Sequence, residues 1–294
     1  MLRKEKREEI KSLEIITNPA EFIKTEEDPI GSGSFSKVYK GTWKDQVVAI
    51  KVAFVEGRKS IFKEFQIYEK ISHPYILPAF GAHFGIENTL ILALRKHNLT
   101  DYFYDYGSNL NFIQLKQYCI QVADALRYLH EKGILHCDLK IDNILVKDER
   151  GEFVEISDFG CAIDLKFDHN PVVNGTRTHL SYEVLKSKFE PNSPRIIPST
   201  ASDVWAFAVT VWQIFKKTDL LPSDFQIPEN IIKNYENGKM LPQPPNIPTE
   251  LWRHIVFPCF NIHPKSRPSM NDLYNSFIKY QALPTETTSS TFID

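Results

Sequence analysis

Short β-branched runs, punctuated by glycine, dominate the first third of the chain. Gly31 and Gly33 lead into Val38-Tyr39-Lys40-Gly41, and Gln46-Val47-Val48-Ala49-Ile50-Lys51-Val52 follows. This pattern predicts antiparallel strands. Leu90-Ile91-Leu92-Ala93-Leu94 predicts another, buried strand. Between these runs the period changes. Ile61, Glu64, Tyr68 and Ile71 are spaced by three, four and three residues, so they share one helix face, and a glutamate sits on that apolar face. His73-Pro74 predicts the end of this helix, because the residue before a proline is pushed out of the helical region. From residue 99 onward the pattern is mainly helical. Tyr118, Val122, Ala125 and Leu129 fall on one face of a long helix that Gly133 should stop. Ile144-Leu145-Val146 and Phe153-Val154-Glu155-Ile156 read as two short strands among polar loops. The nearly apolar run at 204–215 is shorter than the ~18 residues of a membrane span. It also holds Thr210 and Gln213, so it predicts a buried core helix. Pro191, Pro194 and Pro198 predict a long loop over 186–200, and Leu241-Pro242-Gln243-Pro244-Pro245 predicts a second. Residues 1–29 read as a charged extension whose first part is a solvated helix ended by Asn18-Pro19, and residues 284–294 as a flexible tail.

The layout is α+β: a small β-rich lobe joined to a larger helical lobe. A length of 294 residues suits two domains at roughly 150 residues each. Hydrophobic and charged fractions of 42% and 24% exclude disorder as the global state. A net charge of −2 argues against a sequence-wide attraction to nucleic acid or anionic membranes. The first residues alternate charge sign with no apolar core, unlike a secretory signal. Cys119, Cys137, Cys161 and Cys259 are scattered with no CxxC pair. That argues against a zinc site or a disulfide framework and for a reducing, cytoplasmic setting.

Three segments carry candidate chemistry. The glycines of Gly31-Ser32-Gly33-Ser34-Phe35-Ser36-Lys37-Val38 would let backbone N–H groups approach phosphate oxygens. By itself the stretch better suits a plain glycine-rich hairpin. Lys51 ends a β-branched run, and the odd glutamate Glu64 could fix its rotamer. In His136-Cys137-Asp138-Leu139-Lys140-Ile141-Asp142-Asn143 a carboxylate could accept a hydroxyl proton. The Asn143 carbonyl is a hard oxygen of the kind Mg²⁺ prefers. Fifteen residues later, Asp158-Phe159-Gly160 offers a charged metal ligand beside a flexible glycine. Each triplet alone could be a turn; all of them, in this order and with these gaps, are hard to explain by turn chemistry.

Together these motifs resemble a eukaryotic-type protein kinase, from about residue 30 to residue 280. The resemblance implies a bilobal kinase fold: an N-lobe at 30–94, a hinge at about 95–98 and a C-lobe at 99–283. It implies ATP, with Mg²⁺ or Mn²⁺, as cofactors and a protein with a Ser/Thr acceptor as partner. Ile30, Val38, Ala49 and Leu145 would sandwich adenine, with Leu94 before the hinge and Gly31, Gly33, Ser34 and Phe35 over the nucleotide. Lys51, held by Glu64, matches the lysine on the α/β-phosphates. Asp138 matches the catalytic base, and Lys140 the position that steadies the γ-phosphate. Asn143 and Asp158 match the metal ligands. Asp203, Arg267 with Glu183, and the Tyr68, His136 and Phe159 stack match structural positions. The late segment resembles tyrosine kinases and tyrosine-kinase-like (TKL) kinases, whereas Lys140 and Thr176 resemble Ser/Thr enzymes. Several departures stand out. Ser36 replaces the third loop glycine, Ala208 another glycine, Ser181-Tyr182 an Ala-Pro pair and His179 a tyrosine. Cys137 replaces the arginine that usually binds an activation-segment phosphate (a non-RD loop), so activity should not depend on that phosphate. A rival reading gives that charge to Arg177. The alternatives are a dual-specificity or tyrosine kinase, a pseudokinase scaffold, and a small-molecule kinase. The presence of Lys51, Asp138, Asn143 and Asp158 argues against the scaffold, and Glu183 with Arg267 argues against the small-molecule enzyme.

Overall fold

The computed structural model describes residues 13–33, 35–168, 171 and 173–281. They form two compact units, the first ending at Arg95 and the second beginning at Lys96. The first is a β-sheet unit and the second a mainly helical one, in line with the α+β layout expected from the sequence.

The first unit is a sheet with one helix. Its strands are β1 (Glu14–Ile15), β2 (Phe22–Lys24), β3 (Gly31–Ser32), β4 (Ser36–Trp43), β5 (Gln46–Ala53), β6 (Ala79–His83) and β7 (Thr89–Ala93). They run in the order β1-β6-β7-β5-β4-β2, with β3 also on β4. Helix α1 (Arg58–Tyr68) follows β5. The β4–β5 hairpin closes through Lys44 and Asp45, both at positive φ (48° and 60°). That is the twist a two-residue hairpin requires. Helix α1 ends at Tyr68, several residues ahead of His73-Pro74, while Ile61, Glu64, Tyr68 and Ile71 are all buried.

Within the stretch read as a charged extension, two short strands join the sheet. Residues 1–12 lie outside the described residues, but Glu14–Ile15 pair parallel to Gly81 and Ala82, and Phe22–Lys24 pair antiparallel to β4. The reason is Ile16, only 2% exposed, which packs in the core with Trp43, Val48, Ile50, Val52 and Ile91. Its carbonyl also accepts from the His83 ring, at 2.8 Å. A charged flank hid a single core residue.

The second unit is helical around short strand pairs. It contains α2 (Leu99–Tyr106), α3 (Phe112–Glu131), β8 (Ile134–Leu135), β9 (Ile144–Val146), β10 (Val154–Ile156) and β11 (Ile163–Asp164). It continues with α4 (Tyr182–Phe189), α5 (Thr200–Lys216), α6 (Pro228–Glu236), a short α7 (Thr249–Leu251) and α8 (Met270–Lys279). Asn111 and Gln114 form a capping box at the start of α3. Gly133, at φ 78°, reverses the chain after α3, and β11 pairs with β8 there. Residues 203–215 of α5 are buried throughout, as the apolar run predicts. The predicted loop at 186–200 is shorter than expected. Helix α4 extends to Phe189 because Val184 and Leu185 are buried and the first proline comes only at 191.

The docking of β1 is testable. A Cβ on Gly81 would lie 2.6 Å from the Glu14 carbonyl oxygen. Gly81→Ala should expel β1, and Ile16→Ala should cost about 2–5 kcal/mol as a core truncation. Urea denaturation of the full chain checks both, and unchanged midpoints would mean that β1 adds nothing to the fold.

Candidate active site

In the first unit, Lys51 lies on β5 and Glu64 on α1. Lys51 Nζ donates to Glu64 Oε2 at 2.7 Å, with both side chains nearly or fully buried. A buried carboxylate on an apolar face is costly unless paired, so the pair fixes the lysine's rotamer. Gly31 pairs with Val38, and Gly33 N–H donates to Ser36 C=O at 2.9 Å, making a tight hairpin. Ile30 and Phe35 are exposed and Ala49 is buried. Ser34 lies outside the described residues, and Leu94 is half-buried at the end of the unit.

In the second unit, Asp203 on α5 holds the loop at 136–143. It is 1% exposed. Its carboxylate accepts from the backbone N–H of His136 (2.9 Å) and of Cys137 (2.9 Å), and from the His130 ring (2.9 Å). Burial pushes its pKa up, but the His130 bond and the Cys137 amide outweigh that and hold it below the ordinary carboxylate value. Cys137 itself sits at φ 64°, a left-handed angle uncommon for a non-glycine residue and held by the surrounding structure. His136 Nδ1 accepts from Asp138 N–H (3.3 Å), so its Nε2–H donates to the Ser157 carbonyl (3.0 Å). Phe159 is fully buried against the same imidazole, with centroids 5.1 Å apart.

The chain then delivers the polar groups. Asn143 Nδ2 donates to the Asp138 carbonyl (2.7 Å) and to Asp138 Oδ2 (3.2 Å). Asp138 Oδ1 accepts both the N–H and the hydroxyl of Thr176, each at 2.7 Å. Gly175 permits this close approach. Its φ is +126°, and a Cβ there would lie 2.4 Å from the Cys137 carbonyl. Asp158 is left-handed (φ 62°, ψ 79°) and accepts from Gly160 N–H. Lys140 is half-buried beside this loop, and Leu145 lies on β9, where it bridges Asn98. The unit thus brings Asp138, Asn143 and Thr176 into direct contact. The Asn143 amide oxygen and the Asp158 carboxylate are hard donors suited to Mg²⁺.

The segment that carries Glu183 is anchored by Arg267. Its guanidinium donates to both oxygens of Glu183 (3.0 and 2.6 Å) and to the Ala201 and Asn261 carbonyls, and it lies over the Trp205 ring at 4.8 Å. Two contacts had no sequence signal: the clamp of Thr176 on Asp138, and His130 on Asp203. His130 is one position on a 20-residue helix, and nothing in its spacing points to Asp203.

A family model described as protein tyrosine and serine/threonine kinase matches residues 24–277. The chain belongs to this family. Members use ATP and a divalent metal ion. The chain is similar to tyrosine-protein kinase HTK16 of Hydra vulgaris, 30% identical over 261 residues, covering 84% of this chain and 33% of that protein. It is also similar to the melanoma receptor tyrosine-protein kinase of Xiphophorus maculatus, at 29% with coverages of 84% and 22%. Human receptor tyrosine-protein kinase erbB-4 matches at 29%, with coverages of 84% and 19%. The chain spans a third or less of the length of these relatives. Among the described residues, no helix is long and apolar enough to cross a membrane.

His179 gives this kinase unit a pH signature. It is buried, donates from Nε2 to Gln213 Oε1 (3.0 Å) and accepts the Thr178 hydroxyl at Nδ1 (3.0 Å). Burial pushes its pKa down from 6.5 to about 4. Between these values the unfolded chain binds a proton that the folded chain refuses. Stability should therefore be full above about 6.5 and fall as pH drops towards 4. Denaturation midpoints at pH 7.5 and 5 should show a smaller drop for His179→Gln than for the native chain.

Proposed function

We propose that this chain transfers the γ-phosphoryl group of ATP to Ser/Thr hydroxyls of proteins, itself included, and that it is a TKL-type, non-RD enzyme. The observation that carries this reading is the Asp138 carboxylate, which already accepts a hydroxyl at 2.7 Å and is steadied by the Asn143 amide. Asp138 would accept the proton of the acceptor hydroxyl as it attacks. Lys51, oriented by Glu64, and Lys140 would hold phosphate oxygens. Asn143 and Asp158 would hold Mg²⁺ or Mn²⁺ through oxygen. Ile30, Val38, Ala49, Leu94 and Leu145 would contact adenine, with Gly31, Gly33, Ser34 and Phe35 over the nucleotide. When bound, the metal nucleotide supplies the phosphoryl group and the charge that neutralises its transfer.

Thr176 on Asp138 and Lys140 two residues beyond it support Ser/Thr acceptors. The names of the relatives favour tyrosine as the second reading. Transfer to a mixed protein substrate should vanish in Asp138→Asn and Lys51→Met, and phospho-amino-acid analysis should return Ser and Thr. Phosphotyrosine alone would move the specificity to the second reading. ATP binding without transfer would leave a nucleotide-binding scaffold.

The segment is proposed to need no phosphate. Cys137 lines a small cavity that mixes Val173, Leu180, Val184, Pro198 and Ala206 with the polar His179, Ser181, Ser202 and Asp203, and a thiol there supplies no positive charge for a phosphate. Of the candidate acceptors, the Thr176 hydroxyl is held by Asp138 and the Ser181 hydroxyl by Glu183 (2.7 Å). Phosphatase-treated protein should keep its activity within about twofold, well short of the change a required charge-assisted contact would bring. Activity lost on dephosphorylation and regained by rephosphorylation at Thr176, Thr178, Ser181 or Tyr182 would refute this.

A further inference from the structure

Arg177 follows Thr176 directly, so it stands one residue from the group that clamps Asp138. It is exposed, and its guanidinium lies over the Phe189 ring at 5.5 Å. Lys188, also exposed, lies over the same ring at 5.9 Å, and its Nζ donates to the Val173 carbonyl at 2.8 Å. One aromatic side chain on α4 therefore positions two cations beside the activation segment. Neither forms an ion pair with a carboxylate among the described residues. Their neighbour Lys186 differs, because Glu236 (2.5 Å) and Glu190 (3.5 Å) neutralise it. Arg195, from the following loop, donates to the Pro171 carbonyl at 2.7 Å. In a chain whose acidic side chains outnumber its basic ones by 37 to 35, this concentration of positive charge is local.

Two cations that share one ring lose less side-chain freedom when they bind than two free ones would. An arginine fork and an ammonium gathered over one ring, next to the segment whose Thr176 contacts Asp138, suit an anionic group carried near the acceptor hydroxyl. We propose that Arg177 and Lys188 select protein substrates with an acidic or phosphorylated residue close to the phosphorylated Ser/Thr. This rests on the protein kinase reading above and deepens it to a substrate class. It also gives Arg177 a role other than replacing the charge absent at Cys137.

The test is a peptide array in which one aspartate, glutamate or phosphoserine is moved through each position from −4 to +4 around a Ser acceptor. A neutral peptide and autophosphorylation are followed beside it. At least one acidic position should raise kcat/KM roughly fivefold over the neutral peptide, the size of a partly exposed charge pair. Phosphoserine should raise it further, and added salt should reduce the preference. Arg177→Glu with Lys188→Glu should reverse the preference towards lysine at that position and leave the neutral peptide unchanged. Transfer with no acidic preference, or a preference that the charge reversal leaves intact, overturns the inference alone. A charge reversal that changes only the phosphatase sensitivity of the enzyme's own stability, and not peptide choice, assigns the cations to an internal phosphate and also overturns it. No transfer to any peptide or to the enzyme itself overturns the kinase reading together with the inference.

Discussion

Asp203 carries one buried negative charge and accepts from His130 and from two consecutive backbone N–H groups of the catalytic loop. Those bonds hold the peptide units on either side of His136, and the left-handed angle at Cys137 turns the chain directly after them. The next residue is Asp138. Its direction follows from that backbone, and its side chain is then held by Asn143 and Thr176. The His136 ring, fixed between Asp138 N–H and the Ser157 carbonyl, passes the constraint to β10 and to Phe159. Were Asp138 the base proposed above, a misplacement would cost rate steeply, and a rigid internal anchor suits that role.

The first unit solves a parallel problem by different means. Lys51 and Glu64 are both nearly or fully buried, and each makes the other tolerable. The sheet that carries Lys51 is completed at one edge by β1, and the residue directly after it, Ile16, is the core residue that lies within a charged stretch. The Glu183–Arg267 pair gives the second unit a comparable lock. A bidentate fork closes the activation segment against residues that follow it by more than eighty positions.

Much of the candidate site was legible because its chemistry depends on residue type and spacing. The order of Lys51, Glu64, Asp138, Asn143, Asp158, Glu183 and Arg267 conveyed it, and the paired contacts of Lys51 with Glu64 and of Glu183 with Arg267 have hydrogen-bonding geometry. What escaped depended on packing or on backbone shape. Strand β1 hid behind charged neighbours because two residues are too few for a period. Helix α4 was hidden by the prolines after it, although Val184 and Leu185 decide its fate by burial. The hydroxyl of Thr176 reaches Asp138 only through the turn at Gly175, and a pattern of residue types does not show such a turn. The ring that gathers Arg177 and Lys188 joins positions eleven residues apart across a turn and a helix.

The dependence of the loop on one carboxylate is tested most directly by steady-state kinetics of Asp203→Asn beside the native chain, with thermal unfolding as the control for folding. An amide keeps one acceptor oxygen for donors that now occupy two, and it turns its own N–H groups on them. The account predicts a folded protein whose kcat falls about 100-fold or more while its KM for ATP changes little. A folded Asp203→Asn chain with native kcat would contradict it, because the catalytic loop would then hold its shape without the charge.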